Sequence, residues 1–114
     1  MKLDQVKELD RAHLFQNYGR QELCFERGER EFLYDLDGRR YIDMVAGIAV
    51  NSLGYAHPAI THTIREQSER LVHVSNLYLV KEQAEAAAAI ASTCPKPLSS
   101  VLFVNSGAEA NEAA

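Results

Sequence analysis

Hydrophobic and polar positions repeat with different periods along the chain, and the first period is helical. Residues 2–16 place apolar side chains at loosely helical spacing, which predicts a short helix or arm. The stretch Asn17-Tyr18-Gly19-Arg20 interrupts this pattern. The amino terminus is therefore expected to be one helix followed by a break.

The next region has the shorter period and the turn residues of β-structure. Strands are predicted at residues 23–26, 32–34 and 40–44. Arg27-Gly28-Glu29 and Asp35-Leu36-Asp37-Gly38 separate them as turns, the second with a glycine able to take a positive φ. Three short strands joined by two tight turns predict an antiparallel meander.

Small residues dominate positions 46–55, which include Gly47 and Gly54. This composition predicts a loop whose backbone closely approaches another part of the protein. A helix is then expected to start at Pro58, because proline at the first helical position loses no hydrogen bond. Its apolar residues share one face: Ile60, Ile64, Leu71 and Val72.

The carboxy-terminal part predicts a connector, a helix, a strand and a second helix. Residues 74–79 form the connector, and the alanine-rich residues 82–93 have high helix propensity. The apolar run 101–104 is typical of a strand buried on both faces of a parallel sheet. A last helix is expected to start with Ser106 as its cap, and it has no stop signal before residue 114, which indicates a truncated chain.

Composition narrows the classes of function. The 114 residues are 46% hydrophobic and 25% charged, as in ordinary globular proteins. A net charge of -4 and a pI near 5.5 disfavour nucleic acid or a membrane surface as a partner. We also expect no metal site, since no histidine–carboxylate cluster has ligand spacing. Cys24 and Cys94 are interpreted as reduced packing residues.

The strongest chemical motif is the predicted strand–turn–helix that ends in Ser106-Gly107-Ala108-Glu109. Free amides and the dipole at a helix start favour an anion such as phosphate. Gly107 would allow close backbone approach, with a positive φ if the turn requires one. The same four residues also fit a capping box, in which Ser106 and Glu109 only satisfy free amides. These residues alone favour the capping box.

Motifs that occur in a fixed order over residues 18–114 favour the phosphate site over the simple capping box. They are Arg27-Gly28-Glu29, the run 34–43, Ala46-Gly47-Ile48-Ala49-Val50-Asn51, Leu53-Gly54, His57-Pro58, Ser75-Asn76-Leu77-Tyr78 and the run 105–114. Together they closely resemble the amino-terminal region of class-III (ω-amino acid) pyridoxal-phosphate aminotransferases. Within that family, Gly47–Asn51 is most similar to the acetylornithine branch.

The resemblance implies a mixed α/β (α+β) fragment of a fold-type-I transferase. It would comprise the amino-terminal meander and helices, followed by the first strand and helix start of the large domain. Residues 1–76 would form the amino-terminal segment of the small domain and the connector. Residues 77–114 would begin the domain that binds pyridoxal 5'-phosphate.

By the same resemblance, Ser106, Gly107 and Ala108 would bind the cofactor phosphate. Tyr18 and Ile48 would contact substrate. The alternative for both is core packing or loop anchoring, which explains Ile48 equally well. The reaction implied moves an amino group from an N-acylated ornithine-type ω-amino substrate to 2-oxoglutarate. 4-Aminobutyrate, ornithine and other ω-amino acids are the alternative donors. The enzyme would be a cytoplasmic homodimer of arginine biosynthesis.

Several features limit the resemblance. Tyr55 stands where the family usually has histidine, Glu22 replaces a common proline, and residues 79–83 lack the usual threonine and proline. The chain's lysines match no catalytic motif, so we expect no catalytic residue in it and no activity from it alone; they are Lys2, Lys7, Lys81 and Lys96. Two other hypotheses stand: a non-catalytic fragment that docks onto a complementary chain, and a small phosphate-binding domain.

Overall fold

The computed structural model describes residues 1–114, which divide into two compact units, residues 1–70 and residues 71–114. The first unit contains helix α1 (Leu3–His13) and a three-stranded sheet. The helix lies within the predicted range and ends before the break at Asn17.

The sheet is the predicted antiparallel meander. Its strands are β1 (Phe25–Glu29), β2 (Phe32–Asp35) and β3 (Arg40–Ile42), in the order β1-β2-β3. Both pairings are antiparallel. The β2–β3 turn is where the sequence predicts it: Gly38 has a φ of 79° and donates its N–H to the Asp35 carbonyl at 2.9 Å.

The predicted first turn is wrong by two residues. Gly28 lies inside β1, and the chain reverses at Arg30–Glu31, where Arg30 takes a φ of 52°. The glycine serves close packing rather than turning, because a Cβ built at Gly28 would lie 2.3 Å from Cγ of the Tyr55 ring. A bulge between Phe25 and Arg27 also interrupts the register of β1.

The loop predicted at residues 46–55 contains one left-handed helical turn, α2 (Ala46–Ala49), that sequence periodicity did not predict. Close backbone approach in this region is confirmed, since a Cβ at Gly54 would lie 2.8 Å from the Arg30 carbonyl oxygen. Helix α3 (Pro58–Arg70) follows and starts at the predicted proline.

The second unit contains α4 (Lys81–Thr93) and α5 (Gly107–Ala113), both where helices are expected. The strand predicted at 101–104 does not form: these residues have no regular secondary structure. A strand is defined by hydrogen bonds to a neighbour, and the only sheet in the chain is the meander of the first unit. The apolar run therefore has the composition of a buried parallel strand but no strand to pair with.

No side chain of the chain is fully buried. The apolar face predicted for α3 is only half correct: Ile60 and Ile64 lie in the helix but are 45% and 64% exposed, whereas Leu71 and Val72 lie beyond its end at Arg70. Cys24 and Cys94 are free thiols and half-buried. None of the helices has both the length and the apolar character needed to span a bilayer. The mixture of helices with a small antiparallel sheet agrees with the predicted α+β class.

Candidate functional site

The start of α5 has the geometry predicted for it. Ser106 is the cap residue, with extended backbone angles (φ -152°, ψ 160°), and its Oγ accepts a hydrogen bond from the Glu109 amide at 3.2 Å. The extended cap turns the chain into the helix, so the first amides of α5 point out of its amino-terminal end.

The capping box forms in a shifted version. The Glu109 carboxylate accepts the N–H of Asn105 at 2.6 Å, one residue before the amide that a regular capping box would satisfy. The amides of Gly107 and Ala108 make no hydrogen bond within the chain, because the first amides of a helix have no intrahelical partner and neither bond of the capping box reaches them. The Ser106 hydroxyl hydrogen is also available, because Oγ acts only as an acceptor here.

This helix start fits a phosphate group. A Cβ built at Gly107 would have no atom within 4 Å, so open space lies over the free amides. Two backbone N–H groups and a hydroxyl at a helix start suit a phosphate dianion, and the dipole adds to their attraction. The Glu109 carboxylate is the one opposing charge, and its hydrogen bond to Asn105 holds it on the preceding residue. Gly107 does not have a positive φ, so the backbone angles do not require glycine here. Glycine favours phosphate binding at this position because it has no side chain.

Ile48 lies in α2, a single turn of left-handed helix. Ala46, Gly47, Ile48 and Ala49 have φ values of 50°, 62°, 63° and 61°. Each non-glycine residue in a left-handed helix costs roughly 1–2 kcal/mol, and a β-branched residue rarely adopts it. The turn leaves the Ile48 side chain 84% exposed. An apolar side chain is thus presented to solvent on a strained turn, a combination that often occurs at functional sites.

Asp43, at the end of β3, supports this turn. Its Oδ1 accepts the N–H groups of Val45 and Ala46 at 2.9 and 3.0 Å, and its Oδ2 accepts the Tyr55 hydroxyl at 2.6 Å. The Tyr55 hydroxyl and the two amides stabilise the carboxylate and hold its pKa below the ordinary value. The same carboxylate raises the pKa of Tyr55, against a hydrogen bond from Asn51.

Tyr18 lies in the loop after α1, with its side chain 72% exposed and the Arg20 guanidinium 5.8 Å from its ring centre. It borders a cavity of about 280 Å³ beside α1, together with Asp10 and Glu22. The α2 turn borders a different cavity of similar volume, which Asp43 and Tyr55 also line. Tyr18 and Ile48 therefore line no common cavity in the first unit.

Sequence reasoning missed the role of Asp43 and noted Tyr55 only as a departure from the family. The signal that could have found them is the placement of a carboxylate three residues before Ala46, where a side chain can accept free backbone amides. Of the histidines, His57 has a buried Nδ1 without a hydrogen-bond partner at the start of α3. No group of three or more metal-ligating side chains forms.

The pattern of the family described as Aminotransferase class-III matches residues 15–114. The chain is 47% identical over 111 residues to the acetylornithine aminotransferase of Methanosarcina mazei, covering 97% of this chain and 28% of the relative. It is 43% identical over 114 residues to that of Methanothermobacter thermautotrophicus, covering 100% of this chain and 29% of the relative. The chain thus spans less than a third of these relatives.

Solved structures agree with this assignment. The acetylornithine aminotransferase of Elizabethkingia anophelis matches with a TM-score of 0.91 and 29% identity, over 99% of this chain and 29% of that one. An ornithine aminotransferase of Toxoplasma gondii, described with partial occupancy of PLP at its active site, matches with a TM-score of 0.90 and 27% identity, over 98% and 26% of the two chains. The two-unit chain with its glycine-containing helix start belongs to the class-III aminotransferases.

Proposed function

We propose that this chain is the amino-terminal part of an acetylornithine-type transaminase that uses pyridoxal 5'-phosphate. The whole enzyme moves an amino group from an N-acylated ornithine-type ω-amino substrate to 2-oxoglutarate, as a cytoplasmic homodimer of arginine biosynthesis. Residues 1–76 belong to the small domain and connector, and residues 77–114 begin the cofactor-binding domain. The similarity to acetylornithine aminotransferases over nearly the whole chain supports the donor.

The observation that carries the proposal is the start of α5. The free amides of Gly107 and Ala108, with the Ser106 hydroxyl, hold the cofactor phosphate by charge-assisted hydrogen bonds. When bound, the cofactor supplies the electron sink that amino transfer needs. The contribution of this chain is to anchor and orient that group at its phosphate end. No catalytic residue is assigned to the chain.

Substrate recognition is assigned to the first unit. An exposed, uncharged Ile48 suits a substrate whose second amine is acylated, because an apolar side chain offers no partner to a charged amine. Tyr18, which borders a separate cavity, offers the substrate a partly apolar surface with a hydroxyl as its polar group.

The chain alone is proposed to be inactive. Two of its lysines are engaged at the surface, Lys7 with Glu22 at 2.7 Å and Lys81 with Glu85 at 3.6 Å. We expect the isolated chain to transfer no amino group and to lose pyridoxal phosphate completely on dialysis. A stable one-to-one complex with the visible absorbance of a Schiff base after dialysis would show that a lysine of this chain bonds the cofactor.

The substrate assignment is tested by a panel of donors on the full-length enzyme. The kcat/KM for N-acetylornithine should exceed those for ornithine and 4-aminobutyrate. Ile48→Tyr should lower this preference over ornithine, since a phenolic hydroxyl can meet a charged amine. Val72→Tyr is the matched control, because Val72 is 83% exposed in the other unit. An enzyme that prefers ornithine or 4-aminobutyrate would contradict the assignment.

A second candidate is a non-catalytic fragment that docks onto a complementary chain. The observation that favours it is apolar exposure: Leu77, Leu79 and Met44 are 86%, 104% and 87% exposed. The two hypotheses are distinguished by mixing this chain with the remaining domains of a class-III enzyme and measuring both binding and amino transfer. Binding that restores amino transfer supports the enzyme, whereas binding without activity supports the docking fragment.

A further inference from the structure

The left-handed turn α2 requires support from outside its own sequence. Its backbone hydrogen bonds run from Ala49 N–H to the Val45 carbonyl at 3.0 Å and from the N–H groups of Val50 and Asn51 to the Ala46 carbonyl, both at 2.9 Å. A right-handed turn would make equivalent bonds without placing Ile48 at a positive φ. The hydrogen bonds within the turn therefore do not explain its handedness.

Asp43 supplies part of the missing support. By accepting the N–H groups of Val45 and Ala46 with one oxygen, it fixes the direction in which the chain enters the turn. Its second oxygen is held by the Tyr55 hydroxyl at 2.6 Å, so the carboxylate cannot rotate away without breaking that bond. The two oxygens of one carboxylate thus link the turn to Tyr55.

Tyr55 is itself fixed to the sheet. Its N–H donates to the Arg30 carbonyl at 2.7 Å and its carbonyl accepts the Arg30 N–H at 3.0 Å. Its ring lies against Gly28, where a Cβ would approach Cγ to 2.3 Å. Asn51, just after the turn, hydrogen-bonds to the Tyr55 hydroxyl. Arg30, Tyr55, Asp43 and the turn are thus linked by a continuous series of hydrogen bonds.

We propose that Asp43 and Tyr55 are positioning residues for substrate: the bond between the Tyr55 hydroxyl and the Asp43 carboxylate holds α2 left-handed and so presents Ile48 to the substrate. This inference rests on the proposed function, which makes Ile48 a substrate contact. It goes further by naming two side chains, Asp43 and Tyr55. They set the fraction of enzyme molecules in which α2 is left-handed and Ile48 can contact the substrate. The substrate is of the same class as in the proposed function, an N-acylated ornithine-type ω-amino compound.

The test is Tyr55→Phe in the full-length holoenzyme, which removes one oxygen and keeps the ring over Gly28. If only a fraction of the enzyme keeps α2 left-handed, apparent substrate affinity falls by that fraction. We expect KM for N-acetylornithine to rise about three- to tenfold, with kcat within about twofold, because the lost bond involves a charged group. The pyridoxal-phosphate dissociation constant should not change.

Tyr41→Phe is the matched control. Tyr41 donates its hydroxyl to Asp35 Oδ2 at 2.8 Å, and Asp35 Oδ1 accepts the amides of Asp37 and Arg39 in the β2–β3 turn. It is the same kind of bond in the same unit, and it joins β3 to the β2–β3 turn rather than to α2. Loss of a generic tyrosine–aspartate bond would lower the melting temperature of both variants, but only Tyr55→Phe should raise KM.

Asp43→Asn extends the test if Tyr55→Phe folds poorly. The amide oxygen can still accept the Val45 and Ala46 amides, so its KM effect should be no larger than that of Tyr55→Phe. Unchanged KM in both variants, in an enzyme whose donor preference responds to Ile48→Tyr, would overturn the positioning role and leave the proposed function standing. If Ile48→Tyr leaves the preference for N-acetylornithine over ornithine unchanged, the proposal that Ile48 contacts the substrate is wrong.

Discussion

Gly107→Val separates a phosphate site from a simple helix cap. Gly107 is the first residue of α5, its φ is not positive, and a Cβ there would have no atom within 4 Å. The protein itself therefore tolerates a side chain at this position. A valine would instead occupy the open space over the free amides, where the proposal places the phosphate.

The expected magnitude follows from the bonds that the phosphate would lose. Each charge-assisted hydrogen bond contributes about 1.5–3 kcal/mol, so losing one weakens cofactor binding at least about tenfold. Stability should change little, because replacing a glycine that has ordinary backbone angles restricts the unfolded chain and strains nothing. The assay is the pyridoxal-phosphate dissociation constant of the full-length enzyme, with the melting temperature of the cofactor-free form alongside.

Gly19→Val provides the control for this substitution. Gly19 likewise has no neighbour within 4 Å of a built Cβ and no positive φ, but it lies in the other unit. It should leave the cofactor dissociation constant unchanged. If Gly107→Val binds the cofactor as tightly as the control does, the helix start is only a cap and the phosphate assignment is wrong.

Three further predictions test the local structure. Ser106→Ala removes the cap of α5 and should lower the free energy of unfolding by about 1 kcal/mol, measured by denaturant titration; an unchanged value would contradict the cap. Gly54→Ala and Gly38→Ala both place alanine at a φ of 79°, but only the first meets the Arg30 carbonyl, at 2.8 Å. The first should therefore cost a further 1–3 kcal/mol, roughly, and equal losses would exclude the contact. Asp43 has a lowered pKa when folded, so its contribution is present at neutral pH and lost as the pH falls through that folded pKa. Thermal unfolding across the acid range should show a shallower loss for Asp43→Asn than for the parent, and parallel curves would refute the pKa shift.

Local signals predicted most of the secondary structure. Proline at a helix start gave α3, alanine content gave α4, and the aspartate–glycine turn gave the β2–β3 connection; each depends on residues adjacent in sequence. Gly28 was misplaced in a turn because its function is packing against Tyr55, a residue 27 positions away. The run 101–104 was misassigned because a strand depends on a neighbour, which no composition of the run itself supplies.

Only part of the candidate site could be predicted, again because sequence patterns report on neighbouring residues and not on distant contacts. The cap at Ser106 could be predicted, because a serine three residues before a glutamate is a local pattern. The free amides of Gly107 and Ala108 follow from the same local pattern, because a capping box does not satisfy the first two helical amides. The shift of the Glu109 carboxylate to Asn105 could not be predicted, because it is a detail of geometry. The left-handed turn and its support by Asp43 were also beyond periodicity, since a left-handed helix of non-glycine residues runs against local preference.

The most direct test is a crystal structure of the full-length enzyme with pyridoxal 5'-phosphate bound. We expect phosphate oxygens at about 2.7–3.2 Å from the backbone nitrogens of Gly107 and Ala108, with the Ser106 hydroxyl donating to one of them. A phosphate bound elsewhere, with these amides facing water or another part of the chain, would contradict it.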